Sequence, residues 1–203
     1  MVETGWFYGS AIDPILKSMR KKLAAHISAN ETVIDIACGT GAQVFEMAGK
    51  AKRIVGVDLA DSMIEYAKKQ KLKRNTTNTE FYVTDATDLS LFSENEFDVA
   101  TMSLALHQFN PILYKPILDE MKRVAKRIVI VDYAVPLPMN YVGVSSKIIE
   151  FMAGREHNRN FRKFYKTGGL TSILPQSGLQ ITKEQLFAKG AFLLVVCSKA
   201  QPD

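Results

Sequence analysis

VIDIACGTGAQ, residues 33–43, decides how this chain reads. An apolar run ends at Asp35 and passes into Gly39-Thr40-Gly41 just before a segment with helical spacing. Glycine tolerates positive φ and lets a ligand approach the backbone, and a helix start offers unpaired N–H groups. The stretch is therefore a strand, a tight turn and a helix of nucleotide-binding type, with Gly39 and Gly41 as the cradle.

Outward from this turn, apolar runs recur: TVIDI (32–36), RIVGV (53–57), FYV (81–83), FDVATM (97–102) and RIVIVDY (127–133). Between them lie helical patterns from Ala42 to about Ala48, Ser62 to about Gln70 and Ile112 to about Ala125, while residues 85–95 are irregular. Alternating short strands and helices mean βαβ units and a mostly parallel sheet. Ahead of them, Asp13-Pro14 opens an amphipathic helix to about Ser28, preceded by an aromatic arm with Trp6, Phe7 and Tyr8. After the fifth strand, Pro136 and Pro138 open an excursion over 133–178, with helical pieces at Ser145–Met152 and about Asn158–Tyr165 and a closing Gly168-Gly169. So long an excursion predicts a substrate cap. LQITKEQLF (179–187) and AFLLVVCSK (191–199) then form a hairpin. One α/β domain over 1–203 is expected, with 1–29 as arm and helix and 133–178 as a helical cap insertion.

Composition agrees. A chain of 203 residues, 47% hydrophobic and 23% charged, is an ordinary globular domain and not a disordered one. Its net charge of +5 is matched by KKQKLKR alone, Lys68–Arg74. A solvated helix end explains such a run, and nucleic-acid or anionic-membrane contact is the competing reading. Cys38 and Cys197 have no metal or redox spacing, which points to a reducing compartment. MVETGWFYGS lacks an apolar signal core and AFLLVVC is too short to cross a bilayer, so a cytoplasmic protein without a transmembrane segment is expected.

Two ligand classes use such a turn. A dinucleotide fingerprint requires a third glycine, where this chain has Val44, and a pyrophosphate is repelled by an adjacent anion such as Asp35. A carboxylate there suits a ligand with an ammonium or sulfonium group, favouring S-adenosyl-L-methionine over NAD.

Asp35-Ile36-Ala37-Cys38-Gly39-Thr40-Gly41 resembles the first motif of the class I S-adenosylmethionine-dependent methyltransferases, an acid-x-Gly-x-Gly-x-Gly loop, with Ala37 in place of the first glycine. The resemblance covers residues 30–132 and, in outline, 179–199. It implies a Rossmann-like seven-stranded sheet of five parallel-type strands plus a C-terminal antiparallel hairpin, with helices on both faces. It also implies that Asp58 grips the ribose hydroxyls, that Leu59 and Met63 flank the adenine, and that Asp85 and Ala86 read its edge. Ser103 and Leu104 would floor the methionine part. Met63 as plain helix core is the alternative. Three acids, Asp35, Asp58 and Asp85, then end successive strands on the edge where open α/β sheets bind ligands.

Methyl transfer requires an acceptor held in line with the methyl and shielded from water, and no metal, so none is expected. If a base is used, His107 in SLALHQF is the catalytic candidate; His157, Tyr165 and Tyr8 are weaker ones, and His26 reads as surface. Ser103-Leu104-Ala105-Leu106 is not the Asn/Asp-Pro-Pro-Tyr/Phe of adenine and glutamine amino-methyltransferases, and no acid between Thr101 and Leu118 supplies the metal site of the catechol type. The general likeness is to the ubiquinone and menaquinone methyltransferase scaffold. The cap mixes Tyr141, Phe151, Phe161, Phe164 and Tyr165 with Arg155, Arg159, Arg162 and Lys163. These residues either admit an aromatic or lipid-like acceptor bearing an anion or pack two helices on the sheet. A small-molecule acceptor, no nucleic acid and S-adenosyl-L-homocysteine as product are expected. A non-catalytic binding module and an NAD(P)-dependent oxidoreductase are the alternatives.

Overall fold

The computed structural model describes residues 13–152 and 154–200; the aromatic arm with Trp6, Phe7 and Tyr8 lies outside the described residues. Among the described residues, seven strands form one sheet: β1 (Thr32–Ile36), β2 (Arg53–Asp58), β3 (Thr79–Val83), β4 (Phe97–Ser103), β5 (Ala125–Tyr133), β6 (Leu179–Phe187) and β7 (Phe192–Lys199). Their spatial order is β3-β2-β1-β4-β5-β7-β6. The first five are parallel, and β7 inserts antiparallel between β5 and β6, pairing Arg127 with Ser198. The order reverses between β1 and β4, which opens a crevice at their carboxyl ends. This is the Rossmann-like sheet with a C-terminal antiparallel hairpin that the sequence resemblance implies.

The central strands are apolar on both sides because helices cover both faces: Val33, Ile34, Ile54, Val55, Val99, Ala100 and Ile128–Val131 are all buried. Among the described residues there are seven α-helices: α1 (Asp13–Ala24), α2 (Ala42–Ala48), α3 (Asp61–Arg74), α4 (Tyr114–Val124), α5 (Tyr141–Met152), α6 (Arg155–Lys166) and α7 (Leu170–Gln176). In α4 the spacing of Ile117, Leu118, Met121 and Val124 puts four buried side chains on one stripe.

Helix ends differ from the sequence reading for local reasons. α1 stops at Ala24, and the chain tightens through His26 N–H to the Leu23 carbonyl and Ile27 N–H to that of Ala24, which keeps Ile27 buried beyond the helix. α3 runs on to Arg74, where Asn75 in the left-handed region (φ 51°) donates its N–H to the Leu72 and Lys71 carbonyls. Lys68–Arg74 therefore forms the end of a helix, with Arg74 stacked 4.8 Å above the Phe45 ring. α4 starts two residues later than read, after a 3₁₀ turn at Pro111–Leu113. Pro116 has no N–H for an α-type bond to Ile112, so it fits only in a first turn. The excursion holds three helices instead of two: α5 and α6 begin earlier than read, and α7 was missed. α7 is short and contains Pro175, yet it buries Leu170, Ile173 and Leu174 and packs on β6.

Gly56 shows how tightly the β2 face is packed. A Cβ there would lie 2.9 Å from two Phe81 ring carbons and 3.0 Å from Cys38 Sγ. Gly56→Ala is expected to destabilise the fold by about 1–3 kcal/mol through overpacking, read as a fall in urea midpoint at constant m-value; an unchanged midpoint refutes it.

Candidate functional site

At the carboxyl edge of β1 to β4 lies a cleft of about 600 Å³. Of the sequence-predicted residues, Ala37, Cys38, Gly39, Asp58, Leu59, Met63, Asp85, Ala86, Ser103 and Leu104 all line it. Asp35, Gly41 and His107 are not among the lining residues.

The turn after β1 is left-handed at Ala37 (φ 56°), Gly39 (φ 53°) and Gly41 (φ 77°). Ala37 carries the strain that a glycine would not, of order 1 kcal/mol. Gly41 precedes α2, and a Cβ on it would meet Phe81 at 2.9 Å. Nothing lies within 4 Å of a Cβ built on Gly39, the glycine that faces open space. Asp58 ties this turn to β2: Gly39 N–H donates to its Oδ2 at 2.8 Å and Ala60 N–H to its Oδ1 at 2.9 Å. Each carboxylate oxygen has a second lone pair still available. Asp85 is organised alike, its Oδ1 accepting from Thr87 N–H and Oγ1, both at 2.8 Å. Leu59 stands 69% exposed at the rim, an apolar side chain facing solvent where a flat ligand face would cover it.

Asp35 lies beneath the turn. It is fully buried, its Oδ1 accepts from Thr101 Oγ1 at 2.6 Å, and its Oδ2 has no hydrogen-bond partner. Burial pushes its pKa up to about 7, against the Thr101 hydrogen bond and with help from the Asp58 charge. Burial likewise pushes the Cys38 thiol up, with Asp35 and Asp58 adding to the effect, so Cys38 stays protonated. A cradle with open space over Gly39, an unpartnered buried carboxylate oxygen under it and a two-oxygen acceptor beside it suit a ligand with a cationic end and a diol.

α1 contributes Leu16, Met19 and Arg20 to the cleft, and Gln43 of α2 fixes that wall by donating its Nε2 to the Arg20 carbonyl at 3.2 Å. The sequence reading missed these four residues. The α1 stripe looked like core alone, and nothing local says that it crosses the ligand edge.

His107 is 2% exposed and sits in a second cluster beyond β4 and β5. Its Nδ1 is 2.6 Å from Asp132 Oδ1, and its backbone N–H donates to Asp132 Oδ2 at 3.1 Å. Its Nε2 lies 3.6 Å from Glu150 Oε2, which His157 Nε2 also contacts. Burial pulls the His107 pKa down, but Asp132 and Glu150 outweigh it and raise it. Tyr133 and Phe161 pack edge-on against the ring. Asp132 was legible as an acid inside the apolar run RIVIVDY; Glu150 had no local signal. A second cavity of about 560 Å³, lined by Gln108, Phe109, Asn110, His157 and Asn160 among others, shares Gln108 and Phe109 with the first. In the cap, Phe161 and Phe164 are buried against the sheet, whereas Tyr141 and Phe151 are exposed.

Residues 33–127 match the family model described as a methyltransferase domain. Over 133 residues, 62% of this chain and 55% of the relative, the sequence is 30% identical to a demethylmenaquinone methyltransferase of Oceanobacillus iheyensis. The chain spans about half the length of the curated relatives it matches. Among solved structures, the PH0226 protein of Pyrococcus horikoshii superposes with a TM-score of 0.71 at 19% identity, covering 92% of this chain and 90% of that one. A SAM-dependent methyltransferase from Aquifex aeolicus does so at 0.65 and 17%, covering 93% and 89%. Among the described residues, no helix is long and apolar enough to cross a membrane.

Proposed function

We propose that this chain is a class I S-adenosylmethionine-dependent methyltransferase, an enzyme transferring a methyl group from S-adenosyl-L-methionine to a small-molecule acceptor by in-line displacement. The observation that carries the reading is one cleft that gathers residues 37–40 of the turn, Asp58 and Asp85 at the carboxyl edge of a parallel sheet.

When bound, the cofactor supplies an electrophilic methyl on a sulfonium. The chain's residues bind and orient. Asp58, already held by Gly39 and Ala60, offers its remaining lone pairs to the ribose diol, while Leu59 and Met63 enclose the adenine and Asp85 with Ala86 reads its edge. Gly39 lets the backbone approach the methionine portion, Ser103 and Leu104 lie below it, and the buried charge of Asp35 favours its ammonium. Because the acceptor must displace a neutral sulfide in line, water exclusion and positioning matter more than acid–base power. The second cavity, joined to the first at Gln108 and Phe109, is the place for the acceptor, with residues 133–178 as its cap and the whole chain acting as one domain. The aromatic and cationic residues of α6 suit an aromatic or lipid-like acceptor bearing an anion, in keeping with the demethylmenaquinone methyltransferase likeness. Lys68–Arg74 is accounted for by the end of α3, so that basic run does not argue for a nucleic-acid acceptor. Two free, buried cysteines suit a reducing cytoplasm.

A thermal-shift titration with S-adenosylhomocysteine and NAD in parallel tests the cofactor. At about 100 times its dissociation constant, S-adenosylhomocysteine should stabilise the fold by roughly 2.7 kcal/mol, and NAD should give no shift. Protection by NAD alone would overturn the reading. Methyl-labelled cofactor incubated with small-molecule and RNA fractions of a cell extract should label the former; label confined to RNA would overturn the acceptor class.

A further inference from the structure

Two of the chain's three histidines meet at one buried glutamate. One ligand atom from each of His107, Glu150 and His157 lies within 4.8 Å of the others, with His107 Nε2 3.6 Å from Glu150 Oε2 and His157 Nε2 against the same oxygen. A tetrahedral first-row ion with bonds of about 2.0–2.2 Å spaces its ligands about 3.3–3.5 Å apart, close to the His107–Glu150 separation, and an ion held by all three would draw His157 Nε2 back from Glu150 Oε2.

The surrounding hydrogen bonds determine which atoms are left over. Asp132 accepts the backbone N–H groups of His107 and Tyr133 and engages His107 Nδ1, which leaves the lone pair of a neutral His107 on Nε2. Glu150 Oε1 accepts from the Tyr133 hydroxyl at 2.8 Å. The atoms that remain, Glu150 Oε2 and His157 Nε2, are buried and face each other, with no other hydrogen-bond partner. With both imidazoles neutral and their Nε2 atoms unprotonated, three acceptor atoms converge here, an arrangement that costs free energy unless a metal ion or a proton supplies positive charge at the centre. Asp132 behind His107 and Tyr133 behind Glu150 stand where outer partners orient metal ligands.

We infer that His107, Glu150 and His157 form a binding site for a divalent first-row transition ion, of the zinc or iron(II) class. Two imidazoles and one carboxylate are a donor set for these ions, whereas magnesium and calcium take oxygen ligands. Three protein ligands leave a coordination position open. His157, with a side chain 23% exposed, lines the second cavity and gives an ion its way in. An oxygen atom of a molecule bound in that cavity would complete the coordination next to the larger cleft. The site stands on its own geometry and not on methyl transfer.

The test uses the full chain stripped with a chelator. Zinc titrated by calorimetry should bind at one equivalent, and cobalt(II) should develop the visible absorption of a low-coordinate site with nitrogen ligands. Glu150→Gln and His157→Gln should lose both signals, while His26→Gln, which removes the remaining histidine, should keep them. His157 is the more exposed ligand, so its variant is the safer one for folding; an unchanged S-adenosylhomocysteine or urea transition confirms that it folds. Wild-type protein that takes up no stoichiometric ion, or His157→Gln and Glu150→Gln proteins that bind zinc as the wild type does, would overturn the inference. In the first case a proton shared by the imidazoles and Glu150 supplies the positive charge instead.

Discussion

Asp58→Ala is expected to weaken S-adenosylhomocysteine binding by about 100-fold or more while leaving the denaturation midpoint of the unliganded protein within about 1 kcal/mol of wild type. Two effects add. The carboxylate holds Gly39 N–H and Ala60 N–H at 2.8 and 2.9 Å, so it fixes the turn as well as presenting acceptors for a diol. Hydrogen bonds to a charged group contribute about 1.5–3 kcal/mol each, and the loss of two such bonds to a ligand corresponds to at least the stated factor in affinity. The fold is spared because Asp58 ends its strand at a half-buried position and both N–H groups can turn to water. Calorimetry with S-adenosylhomocysteine reads the first quantity and urea unfolding the second. Retained affinity would remove Asp58 from the site, and a collapsed midpoint would make it structural.

Asp35→Asn is expected to stabilise the unliganded protein at high pH and not at low pH. Burial holds the folded pKa of Asp35 at about 7, above its unfolded value of 3.8. For an acid raised in this way, both states are protonated below about pH 4 and folding bears no penalty; between about pH 4 and 7 the unfolded carboxyl ionises while the native one keeps its proton, so stability falls across that window and levels off above it. The full difference corresponds to up to about 4 kcal/mol. Asparagine has the same shape and never ionises, so wild-type and variant stabilities should converge near pH 4 and separate by pH 8, with the variant above. The same variant should bind S-adenosylhomocysteine more weakly, because the buried charge that costs stability is the one that favours an ammonium. Parallel pH profiles for the two proteins would show that Asp35 does not titrate as described.

Much of this was legible in the residues themselves. The strand runs, the turn at 37–41 and the three acids at successive strand ends follow from periodicity and from glycine stereochemistry, which act over a few neighbours, and ten of the residues singled out do line one cleft. Asp35 was legible as a charge near the turn but not as a buried one, since burial depends on Thr101 of the adjoining strand. His107 was legible as a lone polar residue after β4. Its meaning changes once Asp132, 25 residues on, and Glu150, 43 residues on, close around it.

Pattern within a window therefore determined the α/β class, the glycine turn after β1 and the order of the strands along the chain. The tertiary structure alone decided that β7 enters between β5 and β6, that α1 walls the cleft, that α7 packs on β6, and that two histidines share one glutamate. Each of these pairs residues far apart in sequence, and such pairing is selected by shape and burial across the whole sheet and not by the local preferences that a sequence displays.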